Sequence, residues 1–472
     1  MAVKEADVIR MQEFTNRKRM FGRTQIFLDF DEINSGNILE ALGKVLATHN
    51  KNADEIEYLD NYCRGDQPIL YRVKQVRPEI NNTTVVNVAS EIVSFKVGYH
   101  VGEPIMYVSK SAEESAMQAV MMLNKFMFSE DKAAQDEEIA EWQAICGTAY
   151  RMVLPDESGE EDECPFEMYT LEPKDTFVAY STGLGNRPVL AGTRYKKNGM
   201  TEWSLYTDRE FFVVRDGEII RSEPHAYWMI PIFEYPYNRH RIGAFEVVLP
   251  LLDMLNNINS NRMDGIEQEI QAFLKFINCD IDEAQFKALK ELGAIKVKSV
   301  QGQNADVDIV KTDLNQDQTQ TLVNDVYQRI LTICGMPNRN GGTSTSDTGN
   351  AVIFRDGWET AESRAKDFEH IFKKAEKKML KLVLRIMKEL ASVEINLSDI
   401  DMKFTRRNYE NIQSKSQVLT TMLSNPKIHP KLAFEHCGMF SDAESAYKES
   451  EKYYEEVLKQ MEPTNDPDGD GE

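Results

Sequence analysis

Histidine and cysteine are scarce in this chain, seven and six among 472 residues, and neither is arranged for metal or redox chemistry. Cys63, Cys146, Cys164, Cys279, Cys334 and Cys437 form no CxxC pair and have no histidine at zinc-ligand spacing, so reduced thiols are the reading. A His-Glu-x-x-His motif is missing, and His429 and His436 are the only close histidine pair in a helical context. There is no GxxxxGK[ST] phosphate loop. Gly183-Leu184-Gly185 lacks the third glycine and the strand-to-helix setting of a dinucleotide site. No nucleophile elbow supports a Ser-His-Asp or Cys-His arrangement. Asp466, Asp468 and Asp470 imitate the start of a calcium loop, but the bidentate glutamate that such a loop needs is missing. No metal or cofactor is expected. Acid pairs at Asp29 and Asp31, Asp280 and Asp282, and Asp306 and Asp308 are the sole support for a magnesium-dependent nuclease.

Long apolar runs are also missing. The run Val247 to Leu252 contains Pro250 and is far short of the ~20 residues that cross a bilayer. Lys4, Glu5, Asp7 and Arg10 break up every short apolar stretch at the N-terminus, which excludes a secretory signal. The expectation is a protein that stays where it is made, with no membrane partner.

Apolar residues make up 42% of the chain and charged residues 28%, the composition of a soluble globular protein with room for several domains. The net charge of −22 excludes a general affinity for nucleic acid through bulk positive potential, though not a local basic patch. Much of the acid lies in Asp156 to Glu163 and in the tail from Glu435, both read as solvent-facing.

The order of elements reads as α+β. Residues 1 to about 60 read as helical, with Ile38, Leu39, Leu42, Val45 and Leu46 on one face of Asn37 to Thr48. Pro68 to Val76 reads as extended, Asn87 to Tyr99 as helix, and Glu113 to Phe128 and Gln135 to Ala149 as an amphipathic pair. In the first of that pair Met117, Met121, Met122 and Met127 read as adaptable core. From Phe166 to Arg221 short alternating runs broken by Asn198-Gly199 and Asp216-Gly217 predict an antiparallel sheet covered on one side by the earlier helices. Phe245 to Phe276 reads as helix again, with Asn256, Asn257, Asn259 and Asn261 in its middle. A small module follows over Asp280 to Lys311, with a helix at Glu283 to Leu292 and strands at Ala294 to Val300 and Val307 to Val310. Gln316 to Cys334 is helical.

Met336 to Asn350 is a polar, glycine-bearing loop with no means of building a core, and loops of that length in a compact domain are functional or disordered. After it, Trp358, Ala361, Ala365, Phe368, Phe372, Ala375, Met379, Leu382, Ile386 and Leu390 alternate steps of three and four. They predict an amphipathic helix of roughly 50 Å. Lys373, Lys374, Lys377, Lys378 and Lys381 lie off that seam, open to phosphates; the plainer reading is a solvated face paired with acids. Beyond it come an extended piece at Asp401 to Thr405, a helix at Asn411 to Leu423, a helical block at Lys431 to Met461 and an acidic tail.

The order of these parts resembles the portal proteins of tailed bacteriophages of the siphovirus type. The resemblance is carried by Asn87-Val88-Ala89-Ser90-Glu91-Ile92-Val93 with Gly98-Tyr99 and Gly102-Glu103-Pro104-Ile105, and by Pro231-Ile232-Phe233-Glu234-Tyr235 through Gly243-Ala244-Phe245-Glu246. It continues in Leu251-Leu252-Asp253 and Asn261-Arg262-Met263-Asp264-Gly265-Ile266-Glu267-Gln268. The small module resembles a clip, and the loop feeding a long helix resembles a tunnel loop with its support. The implied portal fold has an α/β wing (1–244), stem helix (245–276), α/β clip (277–313), second stem helix (314–336), tunnel loop (337–350), long tunnel/wing helix (351–392), wing return (393–425), helical crown (426–461) and disordered tail (462–472). Where that family has an asparagine-rich stretch, this chain has Tyr235-Pro236-Tyr237-Asn238.

The resemblance implies no enzyme but a ring of about twelve copies at one capsid vertex. Double-stranded DNA is packaged through it by the terminase and later ejected; another head–tail ring component is the alternative. The clip, with Glu283, Lys287, Lys290, Lys296 and Lys298, would meet the terminase large subunit and then the head-completion adaptor, and the ring would meet major capsid and scaffolding proteins. Asn338, Arg339, Asn340, Gly341, Gly342, Thr343, Ser344 and Thr345 would face DNA. A channel that lets DNA slide cannot hold it through a dense array of lysines, and an acidic subunit suits that demand. The asparagines of Phe245 to Phe276 fit a helix whose polar faces pair with like neighbours in the ring.

Overall fold

The computed structural model describes residues 22–461 apart from 31, 112, 157–163, 228, 271–272, 278, 281–297, 300–305, 311–315, 338–356, 407–411 and 441–442. It has two compact units, a smaller one containing Arg64–Val88 and Val248–Leu331 and a larger one containing Arg19–Cys63, Ala89–Val247 and Thr332–Glu472.

In the larger unit, β1 (Ile26–Leu28) precedes α1 (Ile38–Cys63). A strand thus stands where only helix was expected, and α1 runs well past Thr48. Its apolar face resumes at Ile56, Leu59 and Tyr62, while the polar run between them is bound locally: Asn52 exchanges two hydrogen bonds with the Thr24 backbone. Leu39, expected on the apolar face, is exposed. Next come α2 (Val88–His100), β2 (Met106–Ser109), α3 (Glu114–Ser129) and α4 (Lys132–Cys146). The methionines of α3 do not act together: Met127 is core, and Met121 is 72% exposed.

Helix α4 ends at Gly147, whose φ of +81° and lack of side-chain space (a Cβ would lie 2.1 Å from the Arg241 carbonyl oxygen) make glycine obligatory. Ala149, expected to be helical, therefore falls in β3 (Thr148–Pro155), which is buried on both faces over Thr148 to Val153 and so shows no alternation in the sequence. The remaining strands here are β4 (Phe166–Leu171), β5 (Thr176–Ser181), β6 (Pro188–Lys197), β7 (Met200–Tyr206), β8 (Glu210–Arg215), β9 (Glu218–Pro224) and β10 (Ile232–Pro236).

A six-stranded sheet runs β1-β5-β6-β7-β8-β9, antiparallel except for the parallel β1/β5 pair. Asn198-Gly199 and Asp216-Gly217 turn its hairpins with φ of +52°, +79°, +50° and +81°, the left-handed pairs that the right-handed strand twist favours. Its covered face packs Phe177, Leu190, Leu205 and Phe212 on Ile38, Ala41, Leu42 and Val45 of α1. A three-stranded sheet, β10-β3-β4, lies elsewhere in the unit.

The smaller unit holds α5 (Leu249–Ile270), the paired strands β11 (Phe273–Ile277) with β14 (Asp306–Val310) and β12 (Cys279–Asp280) with β13 (Lys298–Ser299), and most of α6 (Gln316–Cys334). Phe273 to Phe276, expected to continue the helix, is a strand. The expected strand Ala294 to Val300 is seen only at Lys298–Ser299, and the expected helix Glu283 to Leu292 lies outside the described residues. Pro68 to Val76, read as extended, opens with a 3-10 turn at Pro68–Tyr71.

The asparagines of α5 need no neighbouring subunit. Asn256 is buried, accepting from Val86 N at 2.8 Å and donating to Gln67 Oε1 at 2.5 Å. Ser260 accepts from Thr84 N at 3.0 Å, and Asp264 from Asn82 N at 2.7 Å. Residues 82, 84 and 86 thus meet 264, 260 and 256 in turn, because two residues of extended chain rise ~6.6 Å and four of helix ~6 Å. Asn257 and Asn259 turn back to carbonyls of their own helix, and Asn261 accepts from Arg72. The face expected to pair between copies thus has hydrogen-bond partners within the chain.

The larger unit resumes with α7 (Trp358–Leu390), whose 33 residues have the predicted bounds. Every predicted seam position is buried except the terminal Trp358 and Leu390. Phe368, Phe372, Met379 and Val383 join Phe233 and Tyr235 of β10 in one core. Then β15 (Ile400–Lys403) pairs with β2, and α8 (Ile412–Leu423), α9 (Pro430–Cys437) and α10 (Ala443–Met461) follow. No helix among the described residues is long and apolar enough to cross a membrane.

Candidate functional site

The polar loop leaves and re-enters the fold at one place. Gly335 closes α6 with φ of +61°, Met336 and Pro337 are buried, and Gly357 opens α7 with φ of +83°. A Cβ built on Gly357 would lie 3.9 Å from both the Met336 carbonyl oxygen and Pro337 Cα, so the two ends of 338–356 sit side by side. Helix α2 braces this base. Phe95 and Tyr99 stack at 5.5 Å and both rings meet Trp358, at 6.2 and 5.8 Å. The Tyr99 hydroxyl donates to Glu362 at 3.0 Å, and the Lys96 ammonium donates to the Gly335 carbonyl at 3.4 Å. Burial brings the Lys96 pKa down to about 8, with Arg364 adding to the effect. One turn on, His100 stacks on Phe368 at 4.2 Å, and burial, Lys96 and Arg406 hold it well below the ordinary histidine range, hence neutral.

Further along α7 a carboxylate stands in the middle of the apolar seam. Glu376 accepts from the hydroxyls of Tyr107 and of Tyr235, the latter at 2.7 Å, and lies 3.0 Å from Lys132 and 3.6 Å from Arg151. Asp136 completes the cluster, 2.5 Å from Lys132 and 2.7 Å from Arg151. All of these groups are buried and their charges cancel. Burial alone would raise the Glu376 pKa; Lys132, Arg151 and the tyrosine hydroxyls outweigh it and hold the carboxyl below the usual range. The sequence reading missed this residue, although Glu376 is four residues from both Phe372 and Leu380 and so falls on the buried face.

The motif residues act the same way. Glu234 accepts two bonds from Arg241, at 2.5 and 2.9 Å, and one from the Tyr180 hydroxyl at 2.5 Å, tying β10 to β5. Glu246 binds Arg23 at 2.7 Å and the Gly243 amide at 2.9 Å. Gly243 itself has no room for a side chain, since a Cβ would sit 2.3 Å from the Ile145 carbonyl oxygen. In the smaller unit Asp264 takes Arg72 at 2.7 Å and also Lys74, while Asn82 donates to Glu267 at 2.8 Å.

Asn338 to Thr345, and Glu283, Lys287, Lys290 and Lys296, lie outside the described residues; Lys298 lies on β13, paired with Asp280 across the ladder. The acidic stretch 157–163 and the tail 462–472 lie outside them too. Among the acid pairs, Asp29 accepts from the Thr182 hydroxyl at 3.0 Å. His429 caps α9, its Nδ1 accepting from Lys431 N at 3.2 Å, and His436 is exposed one helix length away. Lys374, Lys377, Lys378 and Lys381 are exposed as predicted, but none makes an ion pair among the described residues, so the reading of a face paired with acids is corrected.

Each described cluster fixes one segment of the chain against another. Residues 42–462 match the family described as Phage portal protein, SPP1 Gp6-like, and the chain belongs to that family, a component of the phage particle and not an enzyme. No curated protein sequence matches the chain. It is similar to a chain in the neck of an empty gene transfer agent particle computed with C6 symmetry, with TM-score 0.43 and 12% identity over 74% of this chain and 90% of that one. A chain in the neck of the native particle computed with C12 symmetry gives TM-score 0.43 and 11% identity over 78% and 94%. The family assignment rests on the sequence match.

Proposed function

We propose that copies of this chain close into a ring of about twelve at one capsid vertex, forming the channel through which double-stranded DNA is packaged and later leaves. The observation that carries this reading is the family match over residues 42–462. The packed base supports assigning 338–345 as the DNA-facing finger, because the residues flanking 338–356 are adjacent and held against α2. Gly, Ser, Thr and Asn side chains touch a duplex weakly and without sequence preference, and Arg339 adds one cation. The module from 277 to 313, with Glu283, Lys287, Lys290, Lys296 and Lys298, is assigned as the docking site for the terminase large subunit and then the adaptor. Assembly takes place in the host cytoplasm with capsid and scaffolding proteins.

Negative-stain imaging with native mass measurement tests the ring. A closed ring with a central channel is expected, alone or with scaffold present, whereas a shell or filament overturns the proposal. Arg339→Glu should impair packaging or genome retention while leaving rings intact; rings that fail to close would make the loop a structural element instead.

A further inference from the structure

A chain with net charge −22 carries one broad face of unneutralised positive charge. Lys374, Lys377, Lys378 and Lys381 stand exposed on α7 over ~10 Å of helix. On one flank Lys378 lies within electrostatic reach of Lys374, Lys381 and Arg241. On the other, Lys373, seated over the Phe404 ring at 5.5 Å, lies within reach of Lys377, Lys110 and Lys403. The acids nearby are committed: Glu234 is held by Arg241, and Asp401 lies 3.7 Å from Lys403. Lys110, Lys373, Lys374, Lys377, Lys378 and Lys381 have no carboxylate within ion-pair distance among the described residues. Crowding like charges on one helix face costs folding free energy, and the pKa of both Lys373 and Lys378 is lowered, chiefly by burial, with Asp401 and Glu234 opposing the shift and the neighbouring cations adding to it.

We propose that this lysine face is a phosphate-binding surface for double-stranded DNA, separate from the loop that begins α7. The proposal rests on the portal reading, which makes DNA the cargo. Lys374 stands roughly 24 Å along the helix from Trp358, so the two contacts are different places on the subunit. Duplex DNA carries one charge per ~1.7 Å of axis, so ~10 Å presents about six phosphates, a match in density to this face. The side-chain chemistry selects nucleic acid over an acidic protein segment. Protein interfaces are built on aromatic and arginine anchors and are depleted of lysine, whereas this face is dominated by lysines from several elements, with the Phe404 ring half-buried beneath Lys373 and Arg241 engaged by Glu234. Lysine is a hydrated point charge, suited to weak contact without sequence preference.

The test is binding of a 30-base-pair duplex, followed by fluorescence anisotropy between about 50 and 200 mM salt, for the wild type and for Lys374→Gln/Lys377→Gln/Lys378→Gln/Lys381→Gln. Four lost phosphate contacts should reduce the salt slope by about 3 to 4 and remove a roughly hundredfold dependence over that range. The corresponding Lys→Arg variant, which keeps the charge, should bind as the wild type does. Thermal melting of both variants controls for folding, which exposed lysines do not support. Equal binding by the Gln variant overturns the proposal. So does capture of a synthetic 462–472 peptide in place of the duplex, or a loss of ring assembly with duplex binding per subunit unchanged. Imaging of the wild type separately decides the portal reading: with no ring formed, that reading fails whatever the titration shows.

Discussion

A carboxylate inside an apolar seam is justified by partners far away in the sequence. Glu376 is held by Tyr107, Lys132, Arg151 and Tyr235, drawn from β2, α4, β3 and β10, so it pins α7 to four elements at once. Removing one member of a buried ion cluster leaves its partners charged and unpaired. Glu376→Gln should therefore lower stability by about 3–5 kcal/mol in urea unfolding, and a loss under about 1 kcal/mol would show that the cluster relaxes freely. His49 gives the larger unit an acid-sensitive point. Between the Phe177 and Trp203 rings, at 5.6 and 5.8 Å, burial and then Arg194 bring its pKa down to about 4. The folded state then binds fewer protons than the unfolded one, so this stability is complete above pH 6.5 and is lost as pH falls toward 4. His49→Phe should flatten that part of the stability profile, by up to about 3 kcal/mol. A parallel slope in wild type and variant would assign the acid sensitivity to other groups.

At the scale of elements, the pairing of 82–86 with α5 is held by side-chain acceptors and not by a sheet. Ser260→Ala strips the Thr84 amide of its acceptor and should cost about 1–3 kcal/mol in the smaller unit. Hydrogen exchange reads it directly: amides 82–86 should lose protection, and unchanged exchange would mean that water replaces the hydroxyl. The match of rises is imperfect, and ~0.6 Å accumulates per step. Ile80, where a further rung would fall, donates to the Arg77 carbonyl instead. None of this was legible from the polar spacing of α5 alone, since asparagines on a helix read equally as an outward face. By contrast α7, α6 and the hairpins Asn198-Gly199 and Asp216-Gly217 were legible, because periodicity and turn chemistry are local. Strands β2, β3 and β10 were not equally legible: β3 and β10 are buried on both sides and do not alternate, and β2 is four residues long. Of the candidate site, the supporting helix α7 could be read from its period, while the expected loop lies outside the described residues. The brace from α2 and the buried acid of α7 could not, since both depend on residues distant in sequence.

For the whole molecule, the family motifs prove to be fasteners. Glu234, Gly243, Glu246 and Asp264 each fix one segment to another. The charge is divided as well, a strongly acidic chain with four exposed lysines, Lys374, Lys377, Lys378 and Lys381, on one helix. Pro337 and Gly357, on either side of 338–356, lie side by side. A segment whose two attachment points coincide is a side branch on the scaffold, so its length is independent of everything that holds the scaffold together. Doubling such a loop adds only about 0.6 kcal/mol of closure entropy. Each pair of residues gained or lost would shift its farthest possible extent by ~3.4 Å. Under the proposed function, insertion and deletion in 338–356 alone would rescale the bore for a thicker or thinner cargo, with the frame inherited unchanged.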